Sequence, residues 1–257
     1  MTKQLSYLQR GVLSRHPLAQ RLFRIMEDKE TNLALAVDVT SQNRLLDLAE
    51  ELGPSICVLK THVDLLEDFT PDFSLKIRRI ANKHRFLVFE DRKFGDIGQI
   101  TALQYAKGIY RIAEWADLTN AHLVPGPGQI EALQQIGRSQ GRGLLLIAEM
   151  STSGTLATKA YAKKAVDMAK PYSDFVMGFI SLGKLTEDPG MIHFTPGVQL
   201  KKGKDLLGQR YRTIDEILIK NLSDVIIVGR QILDAPDPKE EASIFCEKAW
   251  SAYKMRL

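Results

Sequence analysis

The stretch Glu90-Asp91-Arg92-Lys93-Phe94-Gly95-Asp96-Ile97-Gly98 sets two carboxylates around one lysine. It follows Phe86-Leu87-Val88-Phe89, an apolar and β-favouring run, so Asp91 and Lys93 fall at the end of a predicted strand. Side chains at i and i+2 of a strand point the same way. A carboxylate and an ammonium therefore stand side by side at the strand tip, with Asp96 a few residues on, where a helix would start. Carboxylates on both sides keep such a lysine charged and fixed, which suits stabilising negative charge that develops in a transition state. A bare D-x-K-x-x-D pattern equally describes a solvated charge run. The apolar strand before it, and Gly95 and Gly98 after it in place of the mixed charges of an exposed helix, favour a site.

Placing such a cluster requires strands that end together. β-rich runs at residues 33–39, 56–61, 86–90, 118–122, 144–149, 175–180, 193–195 and 225–228 alternate with amphipathic stretches at 43–52, 74–83, 130–136, 159–170 and 214–220. A helix over 17–29 precedes the first strand, and another over 239–253 closes the chain. The strands are mostly continuous apolar runs, the mark of a parallel sheet covered on both faces. Eight such units in 257 residues predict an α/β fold, a (β/α)8 TIM barrel, as a single domain over 1–257 with an extra N-terminal helix. An open doubly wound sheet is the rival, but no G-x-G-x-x-G follows the first strand.

Bulk properties narrow the function classes. With 44% hydrophobic and 26% charged residues, the chain can bury a substantial core. No apolar run is long enough to span a bilayer, and Met1-Thr2-Lys3-Gln4 lacks the apolar core of a signal peptide, so no membrane role is expected. Of the two cysteines, Cys57 lies in the strand-like run Ile56-Cys57-Val58-Leu59 and reads as a reduced core residue; a cytoplasmic protein is expected. The net charge of +4 is spread along the chain without interleaved aromatics, so nucleic acid is not indicated, while a small anionic substrate is permitted.

In TIM barrels the chemistry gathers where strands end. The polar residues at those ends are Asp38, Lys60 and His62, Asp91 and Lys93, Asn120 and His122, Glu149 and Ser151, Pro196, and Gly229-Arg230. His62, His122 and His193 show no metal-ligand spacing and read as structural histidines. A second signal lies in the last two units. Thr195-Pro196-Gly197-Val198-Gln199 is followed by a loop carrying Gly208-Gln209-Arg210-Tyr211, and Val225-Ile226-Ile227-Val228 runs into Gly229-Arg230. Loops in these positions often bind phosphate: a glycine admits backbone N–H groups, and an arginine forks onto phosphate oxygens.

Taken together, Leu59-Lys60-Thr61-His62-Val63-Asp64, Phe89-Glu90-Asp91-Arg92-Lys93-Phe94, Asp96-Ile97-Gly98, Ala116-Asp117-Leu118-Thr119-Asn120-Ala121-His122, Thr195-Pro196-Gly197-Val198-Gln199 and Ile227-Val228-Gly229-Arg230 resemble the orotidine 5′-phosphate decarboxylase family. The likeness is greatest to its eukaryotic-type branch, which includes the decarboxylase half of fused uridine monophosphate synthase. It runs from about Leu18 to the C-terminus, with the motifs in the family's order.

The resemblance implies removal of CO2 from C6 of orotidine 5′-phosphate, giving uridine 5′-phosphate in the last step of de novo pyrimidine synthesis, with no cofactor and no metal. It implies Lys93 as the acid that protonates C6, Asp91 beside the departing carboxylate, and Lys60 and Asp96 completing a network of alternating charge. Asp38 and Lys60 are expected on the ribose hydroxyls, Ser151 and Gln209 at the pyrimidine, and Gln209, Tyr211 and Arg230 on the phosphate. Asn120, Pro196 and Gly229 complete the expected substrate-binding set. The resemblance also implies a homodimer with shared active sites, in which Asp96 reaches the neighbouring subunit's site. Segments 150–158 and 201–211 are the expected lids. Two positions depart from the family: Ile100 stands where a threonine adds a ribose contact, with Thr101 about 100° away on the helix, and Gly95 replaces an alanine, loosening the loop. Two rivals remain: a related barrel that decarboxylates a keto-sugar phosphate with Mg²⁺ through the same D-x-K-x-x-D motif, and a silent nucleotide-binding scaffold.

Overall fold

Eight apolar runs pair in parallel and close on themselves in the computed structural model, which describes residues 4–204 and 208–257. The barrel strands are Leu33–Val37 (β1), Val58–Thr61 (β2), Leu87–Phe94 (β3), Leu118–Ala121 (β4), Gly143–Ile147 (β5), Val176–Ile180 (β6), Ile192–Thr195 (β7) and Val225–Val228 (β10). Each neighbours the next, and β10 returns to β1 with Leu33 opposite Ile226. Successive residues belong to different cores, as the pleat requires. Ala34 and Ala36 join Phe89, Leu145, Phe194 and Ile227 in one cluster, while Leu33, Leu35 and Val37 join the helix-facing layer.

Two helices close the end where the strands begin. Tyr7–Leu13 (α1) and Pro17–Asp28 (α2) send Tyr7, Leu22, Phe23 and Met26 into the inner cluster. Tyr7 stacks on Tyr253 at 3.9 Å, and its hydroxyl donates to the Asp224 carbonyl at 2.9 Å. Asp224 itself is buried at the start of β10, where Arg10 and Arg256 pair with its carboxylate. With this end plugged, only the ends of the strands are left to open onto solvent. The sequence predicted one N-terminal helix, 17–29, and it is present; α1 is additional, nucleated by a Ser6/Gln9 capping box.

Other helices follow the predicted stretches closely: Gln42–Leu52 (α3), Phe73–His84 (α4), Pro127–Gly137 (α7), Lys159–Ala169 (α8) and Pro238–Lys254 (α10). Gly98–Ala106 (α5) and Ile112–Trp115 (α6) lie between β3 and β4. Residues 214–220 differ, since Glu216–Lys220 winds as a π-helical turn and not as an α-helix. Between β7 and β10 the chain forms a small antiparallel ladder, Gly203–Lys204 (β8) with Arg210–Tyr211 (β9). The expected lid 201–211 spans this ladder, and its residues 205–207 lie outside the described residues. Arg230–Leu233 (α9) is a short turn after β10. Among the described residues no helix is long and apolar enough to cross a membrane.

Candidate active site

The third strand does not stop at Glu90, as the sequence predicted. It runs on through Phe94, with a register irregularity between Glu90 and Phe94 against β4. Phe94 is buried and packs edge-on against Tyr105, which pulls the charged segment into the sheet. To accommodate the irregularity Lys93 adopts φ +53°, a left-handed conformation that costs a side-chain-bearing residue roughly 1–2 kcal/mol. Asn120 on β4 holds it there. Its Oδ1 accepts the Lys93 N–H at 2.7 Å, and its Nδ2 donates to Asp91 Oδ1 at 2.6 Å. One side chain thus sets both members of the D-x-K pair.

The charges alternate along the rim. Lys60 Nζ lies 3.0 Å from Asp38 Oδ1 and 3.2 Å from Asp91 Oδ2, and Lys93 Nζ lies 2.8 Å from Asp91 Oδ1. The order is Asp38, Lys60, Asp91, Lys93, delivered by the ends of β1, β2 and β3. Burial alone would discharge Lys60, but the Asp91 and Asp38 carboxylates outweigh it and hold the ammonium above the ordinary lysine value. Burial likewise opposes the Asp91 charge. Lys60 first, then His62 and Lys93, overcome it and keep this carboxyl well below the usual carboxylate range. Buried as they are, Lys60 and Asp91 stay charged because of their neighbours.

Asp96 is not part of this row. It is exposed at the rim, does not line the cavity, and its Oδ1 accepts the Ile97 N–H at 2.8 Å. Within one chain Lys93 therefore has one carboxylate beside it and not the two predicted from spacing. His62 is the reverse case. Read as structural, it points into the site, with Nε2 3.2 Å from Asp91 Oδ2. The signal was available: His62 sits two residues after Lys60, the same i, i+2 relation that joins Asp91 to Lys93. His122, half-buried, is held below its ordinary value by burial and by the Lys93 charge, so it is neutral near pH 7. His193 remains structural, buried against Asp224 at the plugged end.

The same cavity, of about 290 Å³, is also lined by Ser151, Pro196, Gln209, Tyr211, Gly229 and Arg230. The Arg230 guanidinium hydrogen-bonds the Tyr211 hydroxyl and lies 5.7 Å from its ring centroid. Gln209 Nε2 donates to Ser151 Oγ at 2.8 Å, and Arg210 N donates to the Ser151 carbonyl at 3.0 Å. The two expected lid segments, 150–158 and 201–211, therefore touch each other over the barrel mouth. Gly197 permits that approach. Its φ is +73°, and a Cβ there would lie 2.6 Å from Gln209 Nε2.

Of the two departures, Ile100 is partly exposed, while Thr101 turns inward, its Oγ1 bonded to the Asp96 carbonyl at 3.0 Å. Thr101 cannot stand in for the missing threonine. Gly95 is under no constraint: a Cβ would meet its nearest neighbour at 3.9 Å. Among the described residues, no group of three or more His, Cys, Asp or Glu is placed to hold a metal ion.

Fixed alternating charges at the strand tips, lining one cavity with an arginine and a tyrosine, define a TIM-barrel enzyme equipped for charge-driven chemistry. Residues 31–245 match the Orotidine 5'-phosphate decarboxylase / HUMPS family, and the chain belongs to it. It is 47% identical over 255 residues to orotidine 5'-phosphate decarboxylase of Phycomyces blakesleeanus, which covers 98% of this chain and 96% of that one. Uridine 5'-monophosphate synthase of Bos taurus is 48% identical over 256 residues, covering 99% of this chain but 53% of its own length. The chain thus spans about half of the bovine protein and nearly all of the fungal one. A solved structure of the Methanocaldococcus jannaschii orotidine 5'-monophosphate decarboxylase complexed with inhibitor BMP superimposes with a TM-score of 0.65 at 25% identity, covering 84% of this chain and 97% of that one.

Proposed function

We propose that this barrel, residues 1–257 as one domain, decarboxylates orotidine 5′-phosphate to uridine 5′-phosphate and CO2, completing de novo UMP synthesis. The carrying observation is the row Asp38–Lys60–Asp91–Lys93 at the strand tips, lining one cavity together with Arg230 and Tyr211. In this reading the phosphate sits on Arg230, Tyr211 and Gln209, the ribose hydroxyls on Asp38 and Lys60, and the pyrimidine beneath Ser151. The C6–carboxylate bond breaks, CO2 departs, and the electron pair stays on C6 beside the Lys93 ammonium. Lys93 then gives C6 its proton and recovers one from water. Asp91, 2.8 Å away, keeps the Lys93 ammonium aimed until that moment, and the preset field needs no reorganisation during the reaction.

The uncatalysed reaction is very slow, so roughly 20 kcal/mol of barrier lowering is required. Contacts to the distant phosphate contribute by closing the lids and drying the site. A homodimer with shared sites fits the exposed Asp96 and the apolar strip Ile97, Ile100 and Leu103 beside it on α5. A cytoplasmic location accords with the reduced, buried Cys57. The deciding experiment follows the absorbance of orotidine 5′-phosphate with and without a chelator. Turnover unaffected by the chelator supports the reading; no turnover of orotidine 5′-phosphate in either case, together with Mg²⁺-dependent decarboxylation of a keto-sugar phosphate, would assign the chain to the sugar-phosphate branch instead.

A further inference from the structure

Glu90 is the carboxylate of the motif that lies away from both the cavity and solvent. Phe89 and Asp91 point into the barrel, so Glu90 between them points outward, into the layer beneath the helices, where it is fully buried. Its cross-strand neighbours are Thr61 on β2 and Thr119 on β4, both fully buried. Thr61 Oγ1 lies 2.6 Å from Glu90 Oε2, and the Val63 N–H donates to Oε1 at 3.1 Å and Oε2 at 3.2 Å. Thr119 Oγ1 donates to the Glu90 carbonyl at 2.9 Å. Among the described residues no lysine, arginine or histidine pairs with Glu90. The Asp91 and Asp64 carboxylates act on it and disfavour its charged form, and Asp64 in turn lies 3.8 Å from Arg92.

From this geometry we infer that Glu90 is a positioning residue, clamping the end of β2 to β3 from outside so that Lys60 and His62 meet Asp91 inside. The backbone Lys60-Thr61-His62-Val63 presents alternate side chains to opposite faces. Glu90 grips Thr61 and Val63 on the outer face; on the inner face Lys60 and His62 each come within 3.2 Å of Asp91. A shift of β2 along β3 would break both inner contacts at once. Burial pushes the Glu90 carboxyl up to about 8, so near neutral pH it carries a proton. A protonated Glu90 donates to Thr61 Oγ1, whose own hydroxyl then points to the Phe89 carbonyl 3.4 Å away. The clamp is thus a hydrogen-bonded acid that adds no third negative charge beside Asp91 and Asp64.

The inference rests on the proposed decarboxylase reading, and the test separates the two. Turnover of orotidine 5′-phosphate and thermal unfolding are measured for the wild type, Glu90→Gln, Glu90→Leu and Thr61→Val. Glutamine reproduces the neutral acid, donating to Thr61 and accepting from Val63, so Glu90→Gln should stay within about threefold of wild type. Glu90→Leu fills the space without the clamp and should lose roughly 10- to 100-fold in kcat/KM while still unfolding cooperatively, because small misplacements of reacting groups are costly. Equal activity of Glu90→Leu and wild type would overturn the inference, as would Glu90→Gln being as impaired as Glu90→Leu. Should Glu90→Leu fail to fold, Thr61→Val decides: a loss of roughly 3- to 10-fold, the worth of one hydrogen bond, supports the clamp, and unchanged turnover removes it. A wild type inactive on orotidine 5′-phosphate would instead sink the functional reading, and the inference with it.

Discussion

At the residue scale the site depends on charges that hold one another in place. Lys93 is bonded to Asp91, and its strained backbone is held by Asn120. If Lys93 acts mainly in the transition state, Lys93→Ala should lower turnover by several orders of magnitude while a substrate-like nucleotide still binds within about tenfold. Steady-state kinetics beside calorimetric titration with uridine 5′-phosphate would check this, and near-normal turnover would remove Lys93 from its role. Glu90 makes a different, thermodynamic prediction. Its carboxyl is raised from an ordinary 4.5 to about 8, so in that interval the folded state binds more protons than the unfolded one. Its contribution to stability is complete below about pH 4.5 and is lost as pH rises through 8. Glu90→Gln cannot ionise, so urea unfolding across this range should show a flatter pH dependence for the variant than for wild type. Parallel curves would mean that Glu90 is already charged in the fold. Much of the site was legible because strand-end position and side-chain type coincide: Asp38, Lys60, Asp91, Lys93 and Asn120 converge as expected. His62 was not legible in that way, because a histidine without metal spacing signals a site only through Lys60, two residues before it on the same face.

At the element scale, boundaries were readable where burial and punctuation agree. The run 225–228, between Asp224 and Gly229, is found unchanged as β10. The end of β3 was not, because Asp91-Arg92-Lys93 reads as a loop, and the strand is carried onward by contacts with other elements: Phe94 with Tyr105, Lys93 with Asn120, and the His122 N–H donating to the Phe94 carbonyl at 2.8 Å. Residues 214–220 have helical periodicity, yet the π-helical turn needs an i, i+5 hydrogen bond that periodicity does not reveal; Asn221 N donates to the Glu216 carbonyl at 3.0 Å. Helix α5 is positioned by close backbone approach to α7. A Cβ on Gly98 would lie 2.7 Å from the Gly128 carbonyl oxygen, which must then move. Gly98→Ala should therefore cost about 1–3 kcal/mol in urea unfolding. Gly95→Ala, three residues earlier in open surroundings, should change stability by less than about 0.5 kcal/mol. Equal effects of the two substitutions would show that α5 does not depend on this contact.

At the scale of the whole molecule, the barrel explains why distant segments form one site, but it leaves Asp96 unaccounted for inside a single chain. The barrel itself was legible from eight buried strands in order, since a closed parallel sheet buries every strand on both faces. Quaternary arrangement was not legible in that way, because an interface residue looks like any exposed one until its partner is present. Asp96 stands exposed at the rim, and Ile97, Ile100 and Leu103 expose apolar side chains along the helix that follows it. Ile100 and Leu103 are one turn apart on one face, so they can be covered together by a second copy docking there. Such docking would carry Asp96 toward the partner's charge row, where Lys93 has Asp91 on one side only. The arrangement predicts complementation. Lys93→Ala and Asp96→Ala proteins should each be nearly inactive. Mixed and allowed to exchange subunits, they form heterodimers in which one site gathers both lesions and the other gathers neither. Activity should then return, with one of the two sites in each heterodimer working, and it should rise with the fraction of heterodimer measured by an independent label such as a mass tag. Exchange confirmed by that label without any return of activity would place Asp96 in the service of its own chain and leave the apolar strip on α5 without a catalytic role.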